Sequence, residues 1–455
     1  METRPKDWGA FTKGRAAIAA SVGHELEDDG PLHVVVSEQA RTTEAGQLAL
    51  LSFLGMASRV HRPITLEFPA GGAPLRVSPL HGDASSTLEE AAINLVRAVN
   101  PACSVWLDSK PAPGAIAIGF GPVERPCRWY VSVQRAVATV SAVRTADCDW
   151  VHPGSRWGGA LGACLAANAV FRTAHGLETP NVRLSAWNWA EGSAAELGPD
   201  TWFPIAGGSK LMVGAGSVAG AFVHWLHYFG VAGAWSIVDS DEVSESNLIK
   251  GLNLAARDVG RAKAQQLASL LPGARWESAW YADSELATEK HDLVLCLANE
   301  FDVRSAISSR DPELILHATT GEAWDVHLHR HIRNRDDCLA CRTRDWKQAR
   351  MLCSSASMPT EDGGHADTAL PFAAGLAGLM LASALSRLEA GELELGAVNH
   401  WALYLASEGT FTQHNKARCW KSCPRHGHAP LLPGRWLRLD PRVAGISPPQ
   451  APRSA

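Results

Sequence analysis

Short apolar runs alternate along the chain with longer stretches whose apolar positions recur every three or four residues. Residues 32–37 (LHVVVS) read as a buried strand, 47–60 as an apolar helix and 64–68 as a second strand. An amphipathic helix follows over 87–99 and a third strand over 115–118; further upstream, Arg15 opens a helix-like run, RAAIAA. The same alternation returns later. Residues 210–213 predict a strand, the stretch after Ser217 a helix, 234–238 a strand, 261–271 a helix, and 291–298 and 313–319 two more strands. At 326–332 (VHLHRHI) apolar residues and histidines alternate, which predicts an exposed or half-buried strand with the histidines on a solvated face; three histidines so spaced are also potential metal ligands. An apolar helix is expected from Leu370. Strands alternating with helices predict an α/β protein, and 455 residues allow two or more domains. Residues 158–171 and 375–388 echo each other as helical stretches rich in small residues, each late in its half. Composition alone leaves open whether this is duplication or convergence.

Residues 207–263 carry the most specific signal. The apolar run 210–213 leads at once into Gly214-Ala215-Gly216 and then a helix. Glycines there let the backbone turn tightly and approach a phosphate, and the helix N-terminus supplies free N–H groups. The next strand ends in Asp239, where a doubly wound fold puts the carboxylate that holds a ribose. This much fits dinucleotide enzymes and ATP enzymes alike.

The segment goes on as Asp239-x-Asp241, then Ser246-Asn247-Leu248-x-Lys250, then Lys263, sixteen residues after Asn247. It resembles the ubiquitin-activating superfamily, the ThiF, MoeB and HesA-type adenylating enzymes, whose motif runs roughly D-x-D-x-(V/I)-x-x-S-N-L-x-R-Q with a lysine further on. Lys250 replaces the usual arginine and Gly251 the usual glutamine; lysine keeps the charge and loses the bidentate fork. The resemblance implies two Rossmann-like adenylation-type domains. The one over 1–195, whose first strand is followed by SEQARTTEAGQ without a glycine turn, would be degenerate. A linker would cover 189–206, the active domain 205–430 and a Pro-rich tail 431–455.

The same resemblance implies ATP and Mg2+ as cofactors. Gly214 and Gly216 would admit ATP, Asp239 would grip the ribose with Asp241 nearby, and Asn247, Lys250 and Lys263 would face the phosphates. Where the family carries an aspartate for Mg2+, this chain has Asn299, a weaker ligand for a hard cation; Asp239, Asp241 or Glu300 would have to compensate. An arginine of the inactive half often completes such sites, and Arg15 is the candidate.

The chain has ten cysteines. Cys338-x-x-Cys341 and Cys419-x-x-x-Cys423 present two thiol pairs, soft ligands suited to a tetrahedral structural Zn2+, with His426 or His428 as substitutes for one thiol. Cys353 lies between the pairs in polar sequence ahead of the Leu370 helix, the position of the thioester-forming cysteine in relatives. Cys103, Cys127, Cys148, Cys164 and Cys296 fall in runs that read as structural. The implied substrate is the C-terminal tail of a ubiquitin-like protein. It would be activated as an adenylate, carried on Cys353 and handed to a conjugating enzyme in a bacterial system, some of which serve phage defence. Three rivals stand beside this reading: an adenylate-only enzyme of sulfur-carrier or peptide-modifying type, an NAD-dependent oxidoreductase, and a non-catalytic scaffold.

The net charge of −5 with scattered signs gives no pointer to nucleic acid. No signal peptide and no apolar run of membrane-spanning length is read, so a cytoplasmic protein without a membrane partner is expected, with a homodimer admitted.

Overall fold

Each apolar run that reads as a buried strand forms one. The structure, a computed structural model, describes residues 30–60, 63–81, 85–145, 148–190, 196–199, 208–230, 233–321, 325–333, 335–342, 357–359, 365–367, 370–390, 398–405, 411–415, 419 and 423. The first half runs β1 (Leu32–Val36), α1 (Glu38–Thr42), α2 (Glu44–Ala57), β2 (Ile64–Glu67), α3 (Leu88–Val99), β3 (Val105–Leu107), β4 (Ile116–Phe120), β5 (Trp129–Gln134), β6 (Val137–Ser141), α4 (Ser155–Ala174) and β7 (Val182–Ser185). The second opens with β8 (Ser209–Val213), α5 (Ser217–Phe229), β9 (Ala234–Val238), α6 (Glu245–Leu248), α7 (Lys263–Ala268), β10 (Arg275–Glu277), β11 (Leu293–Cys296), α8 (Phe301–Arg310), β12 (Leu314–Thr320) and β13 (Val326–Ile332). It continues with α9 (Leu339–Arg342), the antiparallel pair β14 (Ser357–Pro359) and β15 (His365–Asp367), α10 (Pro371–Glu389), β16 (His400–Tyr404) and β17 (Phe411–Asn415).

Strand order is the same in both halves over seven strands, and the second sheet adds an eighth, β17. One sheet reads β3-β2-β1-β4-β5-β6-β7 and the other β10-β9-β8-β11-β12-β13-β16-β17. In each, the first five strands are parallel and those beyond are antiparallel. The order reverses beside β1 and again beside β8, where doubly wound sheets open a crevice at the strand C-termini.

The two crevices are built differently. After β1 the chain enters a helix at once: Ser37 Oγ accepts the Ala40 N–H at 3.2 Å to cap α1, and Thr43 Oγ1 accepts the Gly46 N–H at 3.3 Å to cap α2. After β8 comes the glycine turn.

The echoing stretches are α4 and α10, and they pack together. Helix α4 of the first half packs on α10 of the second, and α2 reaches α5 through Ser52 Oγ and His224 Nε2, 3.1 Å apart. Trp157 stacks on Phe229 with centroids 3.9 Å apart, and Phe171 tilts against Phe372 at 5.6 Å. A Cβ at Gly378 would lie 2.4 Å from the Phe222 nitrogen, so only glycine allows α10 this close to α5. Trp225 Nε1 donates to the Gly375 carbonyl at 2.7 Å. One core cluster runs from Leu32 to Leu405 through both sheets, so the halves bury their helices against each other. By length and composition α10 could cross a membrane, unlike any stretch noted in the sequence, but 94% of its apolar window is buried inside the fold.

Other differences are local. The helix expected over 261–271 is regular only in α7, and β3 and β5–β7 carry no strong sequence signature. The histidine strand departs most. β13 has the expected bounds, but His329 and His331 are each 3% exposed rather than solvated. β12 and β16 flank β13 on both sides, and burial holds His329 well below the usual histidine range.

Candidate active site

A cavity of about 280 Å³ opens at the C-terminal ends of β8, β9, β11 and β12. It brings together Gly214, Gly216, Asp239, Asp241, Asn247, Lys250, Lys263 and Asn299, all eight of the residues the sequence nominates for nucleotide binding. Arg15 and Cys353 lie outside the described residues.

The two glycines differ in what they do. Gly214 sits at φ +94°, and a Cβ there would come within 2.5 Å of the Ala298 nitrogen, so the fold itself demands glycine. Gly216 caps α5 with φ −75° and has nothing within 4 Å of where a Cβ would stand. The protein does not need a glycine at 216; open space beside free helix N–H groups is what an incoming phosphate needs.

Asp239 is fixed by backbone. Its Oδ2 accepts the Ala215 N–H at 2.6 Å and its Oδ1 the Asp241 N–H at 2.8 Å. Burial raises its pKa, against the pull of those two bonds and of Lys263. Lys263 Nζ lies 2.7 Å from Asp241 Oδ2, and its backbone N–H donates to the Asp241 carbonyl at 2.9 Å. Its side chain is only 15% exposed, so this is not the solvated helix lysine that position would otherwise suggest. Lys250 is half-buried on the cavity wall. Asn247 is partly engaged already: its Oδ1 accepts the Ser244 N–H at 3.0 Å and shapes α6.

Asn299 and Glu300 follow β11 at the cavity edge. Arg304, 4% exposed, donates from Nε to the Ala298 carbonyl at 2.9 Å and braces that edge from α8. Asn253, Gln266, Trp280 and Thr320 also line the cavity, and sequence reading passed over them. Asn253 and Gln266 hold each other, Nδ2 to Oε1 at 2.6 Å and Nε2 to backbone O at 2.9 Å. Trp280 is 54% exposed, which no residue pattern announces.

The four paired cysteines converge away from this cavity. The ligand sulfurs of Cys338, Cys341, Cys419 and Cys423 lie within 4.8 Å of one another, and Cys338 Sγ is 3.7 Å from Cys423 Sγ. Four bonds of about 2.3 Å to a tetrahedral zinc would put sulfurs about 3.8 Å apart, so the donor set and spacing fit that ion. A hydrogen bond from Cys419 holds the Cys338 thiol well below its usual range, towards the thiolate a metal takes. Cys164 and Cys296 are wholly buried, as expected of core thiols, and burial pushes Cys296 up to about 12.

Residues 205–424 match the ThiF family, and residues 31–186 match the family described as the BilD N-terminal domain. Among solved structures, the chain is similar to Escherichia coli MccB crystallised with MccA-N7isoASN, at 12% identity and a TM-score of 0.38, over 48% of this chain and 67% of that one. It is also similar to MccB with AMPCPP and SeMet MccA, at 12% identity and a TM-score of 0.38, over 65% of this chain and 99% of that one. Likeness this distant adds nothing to the family match. No curated protein matches the chain.

Proposed function

We propose that this chain, which belongs to the E1-like ThiF superfamily of adenylating enzymes, uses ATP to activate the C-terminal carboxylate of a ubiquitin-like protein. The observation that carries the reading is the single cavity in which all eight nominated residues meet, with open space at Gly216.

A carboxylate reacts poorly because its oxygen is a bad leaving group. In the proposed step a carboxylate oxygen of the partner attacks the α-phosphorus of ATP, the bond to pyrophosphate breaks, and an acyl adenylate forms. The protein's task is to hold charge and geometry. Gly216 and the α5 N-terminus receive phosphate oxygens. Asp239, locked by the Ala215 and Asp241 amides, faces the ribose. Lys263 turns from Asp241 towards phosphate, and Lys250 adds a second positive charge without the fork an arginine would give. Asn299, supplemented by Glu300, Asp239 or Asp241 in the same cavity, would hold Mg2+, which would offset the charge of the triphosphate. Cys338, Cys341, Cys419 and Cys423 would hold a structural Zn2+ that takes no part in the chemistry.

In the second step the Cys353 thiolate attacks the acyl carbon and AMP leaves, giving a thioester. A conjugating enzyme then accepts the acyl group, in a bacterial ubiquitin-like conjugation system of the kind that serves phage defence. An oxidoreductase reading would leave the meeting of Asn247, Lys250 and Lys263 in the cavity without a use.

Enzyme, ATP and partner are incubated and resolved on gels with and without reductant. A reductant-sensitive adduct that disappears in Cys353→Ala, while pyrophosphate exchange persists, supports both steps. Exchange with no adduct in the wild type leaves the first step standing and removes the second.

A further inference from the structure

A second cluster of metal-ligating side chains lies on the sheet face turned away from α10. Register fixes this. His317 pairs with His329 across β12 and β13, and His329 pairs with His400 across β13 and β16, so the three share one face. His327 and His331, two residues either side of His329, share it too. The opposite face, with Leu316, Ala318, Leu328 and Trp401, belongs to the core that α10 covers. None of these histidines lines the active-site cavity.

We propose that His327, His329 and His400 bind a divalent transition-metal ion, zinc first among them, at a site separate from the four cysteines. One ring nitrogen from each lies within 4.8 Å of the others. His327 Nδ1 and His400 Nε2 are 3.0 Å apart. Two imidazole nitrogens bound to one tetrahedral zinc at about 2.0–2.1 Å would stand about 3.3 Å apart, so the rings need to part only slightly. The rings stack, His329 on His400 at 4.3 Å and 18° and His327 on His400 at 5.2 Å and 26°, and they must tilt for their in-plane lone pairs to converge on one ion.

Two further observations point to a ligand. The Asp325 carboxylate accepts from His327 Nε2, so a neutral His327 turns its Nδ1 lone pair towards His400 Nε2. Metal-binding histidines carry this kind of outer carboxylate. His329 is 3% exposed, and its Nδ1 has no hydrogen-bond partner among the described residues. Leaving a buried polar atom unmet costs about 1–3 kcal/mol. A bound ion gives such a histidine cluster a purpose that packing does not.

The donors choose the ion. Three imidazoles suit zinc, nickel or copper, whereas Mg2+ and Ca2+ want oxygen. His327 and His400 keep partial exposure, so water can take the fourth position. The two metal clusters also bracket one stretch of chain. The histidines join residue 327 to residue 400, and the cysteines join 338–341 to 419–423, with Cys353 between. The inference stands whether or not the chain adenylates anything.

Full-length protein, purified with zinc supplied and no chelator, is assayed for zinc per chain. The expected value is two in the wild type and one in the His327→Gln/His400→Gln double variant. Cobalt(II) loading separates the sites, because only the thiolate site shows sulfur-to-cobalt charge transfer. That band should survive the double variant while the second cobalt equivalent is lost. One zinc per chain in the wild type, or two that persist in the variant, overturns the proposal. Should the variant fail to fold, cobalt titration of metal-free wild type decides. A second equivalent binding without a thiolate band supports the site, and saturation at one equivalent refutes it.

Discussion

Arg59, at the end of α2 in the first half, donates from Nη2 to the carbonyl of Leu254 in the second half at 2.9 Å, and also bonds to the carbonyl of Leu248. Leu248 closes the Ser246-Asn247-Leu248 motif, so a side chain from the half without a glycine turn anchors the nucleotide motif of the other. Arg59 is wholly buried, and burial pulls its guanidinium down to about 9. Arg59→Met should cost about 1–3 kcal/mol in chemical denaturation, because two buried carbonyls lose a donor. Pyrophosphate exchange should fall further than the unfolded fraction explains. Equal losses in both would mean Arg59 serves stability alone.

The two glycines make a matched pair of tests. Gly214→Ala must take a strained φ and meet the Ala298 backbone, so it should lower stability by about 1–3 kcal/mol. Gly216→Ala meets no protein atom and should fold normally, yet weaken ATP binding at least about tenfold, or 1.4 kcal/mol. Thermal melting and nucleotide titration read the two effects. Unchanged ATP affinity in Gly216→Ala would remove the phosphate from that turn.

His81 and His224 lie together in the seam between the halves, around a small void also lined by Ser52, Gly55 and Leu252. Burial lowers His81 to about 3 and His224 well below the usual range. A folded-state pKa below the unfolded one means the unfolded chain gains protons first as pH falls. Stability is therefore full above about 6.5 and lost between that value and about 3. His81 alone should contribute about 2 kcal/mol of loss by pH 5. Denaturation at pH 7 and pH 5 checks this, and His81→Leu should flatten the dependence. A pH-independent midpoint would contradict it.

Much of this was legible from residues alone, and the exceptions have physical causes. Strands such as β1 and β9 read clearly because every residue in a buried parallel strand is apolar or nearly so. That the cavity residues would meet could be read because a glycine turn after one strand and an acidic end on the next impose fixed spacing. The β5–β6 hairpin did not, because Arg135 takes its positive φ of 55° where glycine or asparagine would have signalled a turn. The histidine strand misled because polar alternation usually marks a solvent face, and here neighbouring strands and stacked rings bury it. Arg59 belongs to no motif and becomes meaningful only once the halves are packed.

Cys338→Ser should lower the melting temperature and remove one zinc equivalent, with activity falling only as folding does. A closed thiolate site contributes folding energy and offers no open position for chemistry. Elemental analysis and thermal melting decide it. Wild-type stability in metal-free protein would refute the assignment.

The most direct test of the central claim is ATP–pyrophosphate exchange with a ubiquitin-like partner, in the wild type and in Asp239→Ala. Exchange should require the partner's free C-terminal carboxylate, and Asp239→Ala should reduce it at least about a hundredfold, or 2.7 kcal/mol of transition-state stabilisation. Exchange without any partner, or exchange that survives both Asp239→Ala and blocking of the carboxylate, would contradict adenylation at this cavity.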